Sequence, residues 1–296
     1  MTIPFVKTHD VVPGRVDQVS PLIRRITAAN PGPFTFTGTG TYIIGRGEVA
    51  VIDPGPNLPA HLDALCSALN DDKVRAILIT HTHTDHSPLS RPLQERLGGE
   101  ILAFGPHGSG RAGGAVPVEE GGDMSFVPDR RLGDGDIIRG DGFELMAIHT
   151  PGHTSNHLCY ALLQEHALFT GDHVMGWATS VIVPPDGNMS DYFASLEKLI
   201  ARSDQVLWPT HGAPITNVPS FLDAFLAHRR MREAEILSCL VAGVTSIPAI
   251  VANLYMAVDK RLHPAAALSV LAHLEKLIAE RRARLIPGNP PRFAAL

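Results

Sequence analysis

Residues 80–88 read THTHTDHSP and directly follow the largely apolar run VRAILI at 74–79. A short, continuous apolar run of this kind predicts a buried β-strand. Ser87 and Pro88 are good cap and first-turn residues for a helix, which is expected to end near Gly98. The stretch therefore places three histidines and an aspartate at a strand-to-helix junction, where four metal-coordinating side chains would lie close together.

The spacing within this stretch predicts which side chains point in the same direction. Successive side chains alternate in an extended segment, so His81, His83 and Asp85 are expected on one side, and the turn into the helix redirects His86. Two imidazoles are then available to one metal ion, and a carboxylate with an imidazole to a second. Imidazole and carboxylate without thiolate suit zinc, with manganese or iron as alternatives. The intervening threonines are expected to support the loop through local hydrogen bonds.

Three further stretches carry the same residue types after apolar runs. HTPGHTSNH at 149–157 supplies His153, LFTGDHV at 168–174 supplies Asp172, and LWPTHGAP at 207–214 supplies His211. Four strand ends that each carry a candidate ligand predict a single metal site at one edge of a sheet.

Composition sets limits on the class of protein. The 296 residues are 44% hydrophobic and 19% charged, which is typical of a globular protein, and the net charge of −5 argues against a protein that coats nucleic acid. Three widely spaced cysteines do not indicate a disulfide framework. The N-terminus lacks a secretory pattern, and GVTSIP at 243–248 divides the uncharged segment 236–258 into two helices. We therefore expect a cytoplasmic protein without a membrane span.

The order of elements predicts two domains. Residues 1–219 alternate strand and helix patterns and then form hairpins, which favours a mixed α/β sandwich. A stretch rich in Gly and Pro at 105–135 is expected to be an inserted loop. Residues 220–296 show three helix patterns and a short hairpin, with ten Lys/Arg and six Asp/Glu, so their balance of +4 leaves −9 for residues 1–219.

The motifs THTHTDHS, TPGHT, FTGDH and THG, in this order, resemble those of the metallo-β-lactamase superfamily over roughly residues 20–215. The resemblance implies a four-layer αβ/βα sandwich with a dinuclear metal site. Asp53, in VIDPG, matches a family carboxylate that orients ligands. The implied ligands are His81, His83 and His153 for the first metal, Asp85, His86 and His211 for the second, and Asp172 as the bridge.

The C-terminal helices resemble the winged-helix-like extension of the subgroup named after lactamase-β-like protein 2. Two positions depart from that subgroup's usual pattern: Thr210 stands where glycine is more common, and Asn156 where aspartate is often found. Neither departure removes an implied ligand.

The resemblance implies a dinuclear-zinc hydrolase in which a metal-held hydroxide attacks an ester-like or phosphodiester bond, with Asp85 and Asp172 catalytic. Alternatives are a thioesterase similar to glyoxalase II, a single-stranded endoribonuclease, and a nucleic-acid-binding protein with a vestigial metal site. The partner is expected to be a small ester, thioester or phosphodiester, with RNA as an alternative. The sequence leaves the oligomeric state open, a dimer included. Candidate substrate contacts are His107, Arg111, His157 and His173.

Overall fold

The computed structural model describes residues 2–111, 121–256 and 259–296. Within these ranges the first sheet has seven strands, arranged side by side in chain order. Strands β1 to β4 are antiparallel neighbours, whereas β4 to β7 are parallel. Parallel neighbours need crossover connections, and helices α1 (Pro59–Ala68) and α2 (Ser90–Leu97) provide two of them. The strands are β1 Val16–Gln18, β2 Ile23–Thr27, β3 Gly40–Arg46, β4 Glu48–Ile52, β5 Lys73–Leu78, β6 Glu100–Ala103 and β7 Arg130–Arg131.

The second sheet, as far as it is described, has five strands in the order β12-β11-β10-β9-β8. Strands β8 to β11 form antiparallel hairpins, while β12 pairs parallel to β11 after a crossover through helix α3, Met189–Ile200. The strands are β8 Ile137–Gly140, β9 Phe143–His149, β10 Leu158–Leu162, β11 Ala167–Gly171 and β12 Val206–Pro209.

Three apolar clusters hold these elements in layers. The first lies between α1, α2 and the outer face of the first sheet, and includes Leu65 and Ile77. The second fills the space between the two sheets, around Tyr42 and Tyr160. The third lies between the second sheet and helices that include α3, around Leu196. The predicted four-layer αβ/βα arrangement is therefore confirmed, and its burial of apolar surface is the main force that stabilises it.

The C-terminal segment consists of helices and a hairpin with a core of their own. The expected break between helices is observed: Gly243 has a φ of 81° just after α4, and α5 follows Ser246. No helix in the described ranges is long and apolar enough to cross a membrane. The elements are α4 Val218–Val241, α5 Ile247–Leu254, α6 His263–Ala279, β13 Ala283–Ile286 and β14 Arg292–Ala295.

Helix α4 joins the two predicted domains. Its first half is buried in the same cluster as α3, through Phe221, Leu222 and Phe225. The boundary predicted between residues 219 and 220 falls within the first turn of this helix. That boundary stays a prediction.

Two expectations about loops need correction. The helix after the histidine stretch begins at Ser90, not at Ser87, because the backbone N–H groups of His86 and Ser87 both donate to the carbonyl oxygen of His83 and form a separate turn first. The segment 105–135 is not entirely loop, since it contains β7. Its residues 112–120 lie outside the described part of the chain.

Candidate active site

The predicted ligands converge where β5, β9, β11 and β12 end. One potential ligand atom from each member of a group lies within 4.8 Å of the others. The expectation of a site at the edge of one sheet is wrong, because β5 belongs to the first sheet and β9, β11 and β12 belong to the second. The site therefore lies between the ends of the two sheets. The groups are His81, His83 and His153; His81, His86 and Asp172; and Asp85, His86 and His211.

The first group is a tripod of imidazoles. Nδ1 of His83 lies 2.9 Å from Nε2 of His81 and 3.1 Å from Nε2 of His153. The far nitrogen of His153, Nδ1, bonds to the carbonyl oxygen of Val181 at 2.6 Å, which directs Nε2 to the centre. Nδ1 of His81 is likewise 3.1 Å from the hydroxyl of Thr80. Three ring nitrogens thus face one another.

The second group combines two imidazoles with a carboxylate. Oδ2 of Asp85 lies 3.1 Å from Nε2 of His211 and 3.4 Å from Nε2 of His86. Nδ1 of His211 is 3.2 Å from the carbonyl oxygen of Gly38. Because that nitrogen contacts a carbonyl oxygen, Nε2 is the ring nitrogen that faces the centre and could hold a metal ion.

Asp172 lies between the two groups. Its Oδ1 is 3.4 Å from Nε2 of His211 and 3.7 Å from Nε2 of His86, whereas its Oδ2 is 3.9 Å from Nε2 of His153. Each carboxylate oxygen therefore faces a different group. This arrangement fits a residue that bridges two metal ions.

Asp53 supports the second group from behind. It is fully buried, and its Oδ2 lies 2.9 Å from Nδ1 of His86. It also accepts hydrogen bonds from the backbone and hydroxyl of Thr80, at 2.8 and 2.7 Å, and from the hydroxyl of Thr210 at 3.1 Å. A carboxylate that receives the second N–H of a ligating histidine fixes its tautomer and orientation.

A local hydrogen bond, as expected from the threonines, is found at Thr80, whose hydroxyl lies 3.1 Å from Nδ1 of His81, but Thr80 and Thr82 also contact residues far away in sequence. Thr80 bonds to Asp53, and the hydroxyl of Thr82 is 2.9 Å from Nδ1 of His107 and accepts from Asn156 at 2.9 Å. Thr210, which stands where glycine is more common in the resembling subgroup, donates a further hydrogen bond to Asp53 through its hydroxyl. These contacts join residues far apart in sequence, so spacing alone did not predict them.

Unpaired polar atoms at the centre test whether the cluster fits metal ions. Nε2 of His86, Nε2 of His211 and Oδ1 of Asp172 are buried and make no hydrogen bond within the described residues. A buried polar atom without a partner costs about 1–3 kcal/mol. These atoms have the nitrogen and carboxylate chemistry of metal ligands and point at one another, so the residues present fit a dinuclear site.

The electrostatics of the two groups differ. Burial lowers the pKa of His83 to about 3 and holds the pKa of His81 well below its usual value, so both imidazoles are neutral, the form that binds metal. Burial would also lower the pKa of His211, but Asp172 and Asp85 raise it to about 9. The pKa of His86 is raised by the same carboxylates and Asp53. The second group therefore favours positive charge at its centre.

The four predicted substrate contacts divide into two pairs. His157 and His173 are fully buried, so neither side chain is open to solvent, and their role as substrate contacts stays a prediction. His107 and Arg111 are half-buried, and the His107 ring centre lies 6.1 Å from that of His83. Asn156 bonds to the carbonyl oxygens of residues 105 and 106 and so fixes the start of the loop that carries both.

The fold and the cluster together define a metal-dependent hydrolase. Residues 35–211 match the family described as the metallo-beta-lactamase superfamily, and residues 246–287 match the beta-lactamase associated winged helix domain. A β-lactamase domain protein from Burkholderia ambifaria has the same fold, with a TM-score of 0.79 at 20% identity over 97% of this chain and 96% of that one. The chain belongs to the metallo-β-lactamase superfamily.

Two curated proteins are similar to this chain over most of its length. The chain is 33% identical over 233 residues to an atrochrysone carboxyl ACP thioesterase from Aspergillus chevalieri, covering 76% of this chain and 68% of that protein. It is 31% identical over 295 residues to the lactamase-like protein nscB from Arthroderma gypseum, covering 93% and 87% respectively. The match to the thioesterase thus spans about two thirds of that relative's length.

Proposed function

We propose that this protein is a two-zinc thioesterase that hydrolyses an acyl thioester. The position of Asp172 between two ligand groups carries the dinuclear part of the proposal, because each of its oxygens faces a different group. The choice of a thioester is supported by the relative at 33% identity that is named as an acyl-carrier-protein thioesterase. Zinc suits a donor set of imidazole and carboxylate.

The ligands would divide as the geometry suggests, with the imidazole tripod holding one ion, Asp85, His86 and His211 holding the other, and Asp172 shared. When bound, two such ions polarise a carbonyl group and make hydroxide available at neutral pH. Asp53 keeps His86 in the tautomer that presents Nε2. The side chain of Asp85 is 24% exposed, so its carboxylate would be open to solvent and, in the proposed role, would accept a proton as water attacks the thioester.

The leaving group decides how much acid catalysis the site must supply. A thiol with a pKa of about 8.5 leaves readily as thiolate, whereas an alcohol needs a proton as the bond breaks. His107, at the edge of the site, is the residue that would donate this proton. Thioester cleavage is therefore expected to depend little on His107, and cleavage of the matching oxoester to depend on it strongly.

A substrate panel tests the proposal. Purified zinc-loaded protein is offered an acyl thioester, the oxoester with the same acyl group, bis-p-nitrophenyl phosphate and single-stranded RNA. We expect the thioester to give the highest kcat/KM and Asp85→Ala to abolish its turnover. Faster cleavage of the phosphodiester or RNA would overturn the thioesterase proposal in favour of the predicted nuclease alternative, and thioester turnover unchanged by Asp85→Ala would refute the site.

The variant His107→Ala provides an internal control. It should lower oxoester turnover about 10²-fold or more, the usual contribution of a general acid, and leave thioester turnover within a few fold. Equal losses on both substrates would show that His107 does not act on the leaving group.

A further inference from the structure

Two buried arginines lie next to the candidate metal site on separate elements. Arg25 is on β2 and Arg229 is on α4, and their exposed fractions are only 4% and 3%. A buried guanidinium is costly unless its N–H groups find acceptors. The terminal nitrogens of both arginines donate to backbone carbonyl oxygens close to candidate ligands, whereas the Nε atoms have no partner among the described residues.

Arg25 holds the turn that carries His211. Its Nη1 donates to the carbonyl oxygen of Gly212 at 2.8 Å, and its Nη2 donates to that of Thr210 at 3.3 Å. The two carbonyls flank His211 in sequence. Because the guanidinium is planar and rigid, two bonds from its two terminal nitrogens fix the relative orientation of the peptide groups on either side of the ligand.

The surroundings of Arg25 are shaped to hold it. Its guanidinium lies 5.4 Å from the ring centre of Tyr42, whose hydroxyl donates to the carbonyl oxygen of Pro209 in the same turn at 2.7 Å. Gly40 leaves the space the guanidinium needs, since a Cβ there would lie 2.4 Å from Nε of Arg25. The residues around Arg25 thus hold both the guanidinium and the turn that contains His211.

Arg229 lies near the group of candidate ligands that contains His153. Its Nη2 donates to the carbonyl oxygen of Ser180, and the next carbonyl, that of Val181, accepts the hydrogen bond from Nδ1 of His153 at 2.6 Å. The guanidinium also lies 5.0 Å from the ring centre of Tyr192. The orientation of His153 therefore depends on a loop that is tied to helix α4.

We propose that Arg25 and Arg229 are positioning residues that support the two metal groups separately, Arg25 through His211 and Arg229 through His153. This inference rests on the proposed dinuclear site. Neither arginine belongs to a ligand group, and each acts through backbone carbonyls. Because Arg229 is on α4, this helix, which leads into the C-terminal domain, would help to position a metal ligand.

A metal-binding experiment tests the separation of roles. Metal-free protein is titrated with zinc against a chromophoric chelator, and with cobalt for its visible absorption. Each ligand group is expected to bind one ion in its own step of the titration. The variant His153→Ala shows which step is binding to the first group, and His211→Ala shows which step is binding to the second. We expect Arg229→Met to weaken the His153 step about 10–100-fold and Arg25→Met to weaken the His211 step by a similar factor, as is usual when the support of a ligand is lost.

The neighbouring arginines are matched controls. Arg24 pairs with Asp72 and Arg230 pairs with Glu197, so Arg24→Met and Arg230→Met should leave both steps unchanged. The lysine variants Arg25→Lys and Arg229→Lys keep the charge and a donor, and should weaken the same step by a smaller factor. If a methionine variant does not fold, the corresponding lysine variant is used to test the proposal.

The outcomes separate this inference from the proposed function. Variants that bind both ions as the wild type does, or that weaken both steps equally, would overturn it while leaving the metal site in place. A general loss of packing would lower the unfolding midpoint of the metal-free protein without a change confined to one step, and would also overturn it. A wild-type protein that binds no metal would overturn the proposed function as well.

Discussion

Oδ2 of Asp53 lies 2.9 Å from Nδ1 of His86, and both side chains are completely buried. Asp53 is 33 positions before His86 and adopts a positive φ of 49°, in the turn after β4. The contact links β4 to the loop after β5, which is its parallel neighbour. The geometry of a candidate metal ligand is thus set by the pairing of two strands.

Asp53→Asn should weaken metal binding without unfolding the protein. The amide is nearly isosteric with the carboxylate but carries no charge to hold the N–H of His86. We expect the affinity of the second metal group to fall about 10–100-fold. Zinc competition with a chelator measures it, and Asp17→Asn, in an exposed pair with Arg15, is the control. An affinity equal to that of the wild type would show that Asp53 does not orient the ligand.

Gly152→Ala should displace the turn that carries His153. Gly152 has a φ of 138°, and a Cβ there would lie 2.4 Å from the Cα of Tyr192, so the turn or α3 must move. We expect a loss of about 3 kcal/mol or more in the free energy of unfolding, as for other overpacked sites. Urea unfolding in a chelating buffer measures it.

Gly47→Ala is the matched control for this change. Gly47 also has a positive φ, 73°, but a Cβ there would meet nothing within 4 Å. Its cost should be about 1 kcal/mol, from the backbone conformation alone. Similar losses for both variants would contradict the steric account.

Much of the site could be predicted from the sequence because its ligands follow apolar strands. His81, Asp172 and His211 each come within three residues of a strand end, and strand ends bring distant residues together. The roles of Arg25 and Arg229 could not be predicted, because their partners are backbone carbonyls 187 and 49 positions away, which no side-chain pattern marks.

The sequence also did not show which residues after a strand face the site and which are buried in the core. Asp172 and His173 are adjacent, yet Asp172 belongs to the cluster of candidate ligands whereas His173 packs against Tyr192, with ring centres 4.6 Å apart. Adjacent side chains at a strand end point to opposite sides, and the sequence alone does not show which side is the core. The burial of His173 could not be predicted for this reason.

Glu233→Gln should reduce stability in a way that depends on pH. Burial alone would raise the pKa of Glu233, but His273, Lys276 and Arg282, with nitrogens 3.9, 2.8 and 2.7 Å from its carboxylate, lower it from 4.5 to about 2. A lowered pKa adds stability that is complete above the unfolded value of 4.5 and is lost as the pH falls towards 2. We expect a deficit of about 2 kcal/mol at pH 7 that shrinks as the pH falls from about 5 towards 2.

Urea unfolding of metal-free protein across this pH range measures the deficit. Glu280→Gln is the control, because Glu280 is an exposed partner of the same Lys276 and Arg282. A deficit that does not change with pH would show that the charge of Glu233 is not what stabilises the contact.

A chain that ends at residue 219 should not fold stably. It lacks Phe221, Leu222 and Phe225, whose burial against α3 contributes about 2 kcal/mol each, and their sum is comparable with the whole stability of a domain. A chain that ends at residue 242 keeps these contacts and Arg229. Limited proteolysis and circular dichroism compare the two. A stable, metal-binding chain 1–219 would instead confirm the predicted boundary.

Metal content tests the central claim most directly. Wild-type protein and Asp172→Ala are loaded with zinc, dialysed against metal-free buffer and analysed by inductively coupled plasma mass spectrometry. A dinuclear site bridged by Asp172 predicts about two zinc ions per wild-type chain and a clear loss in the variant. One ion or fewer per wild-type chain, or two ions retained by Asp172→Ala, would contradict it.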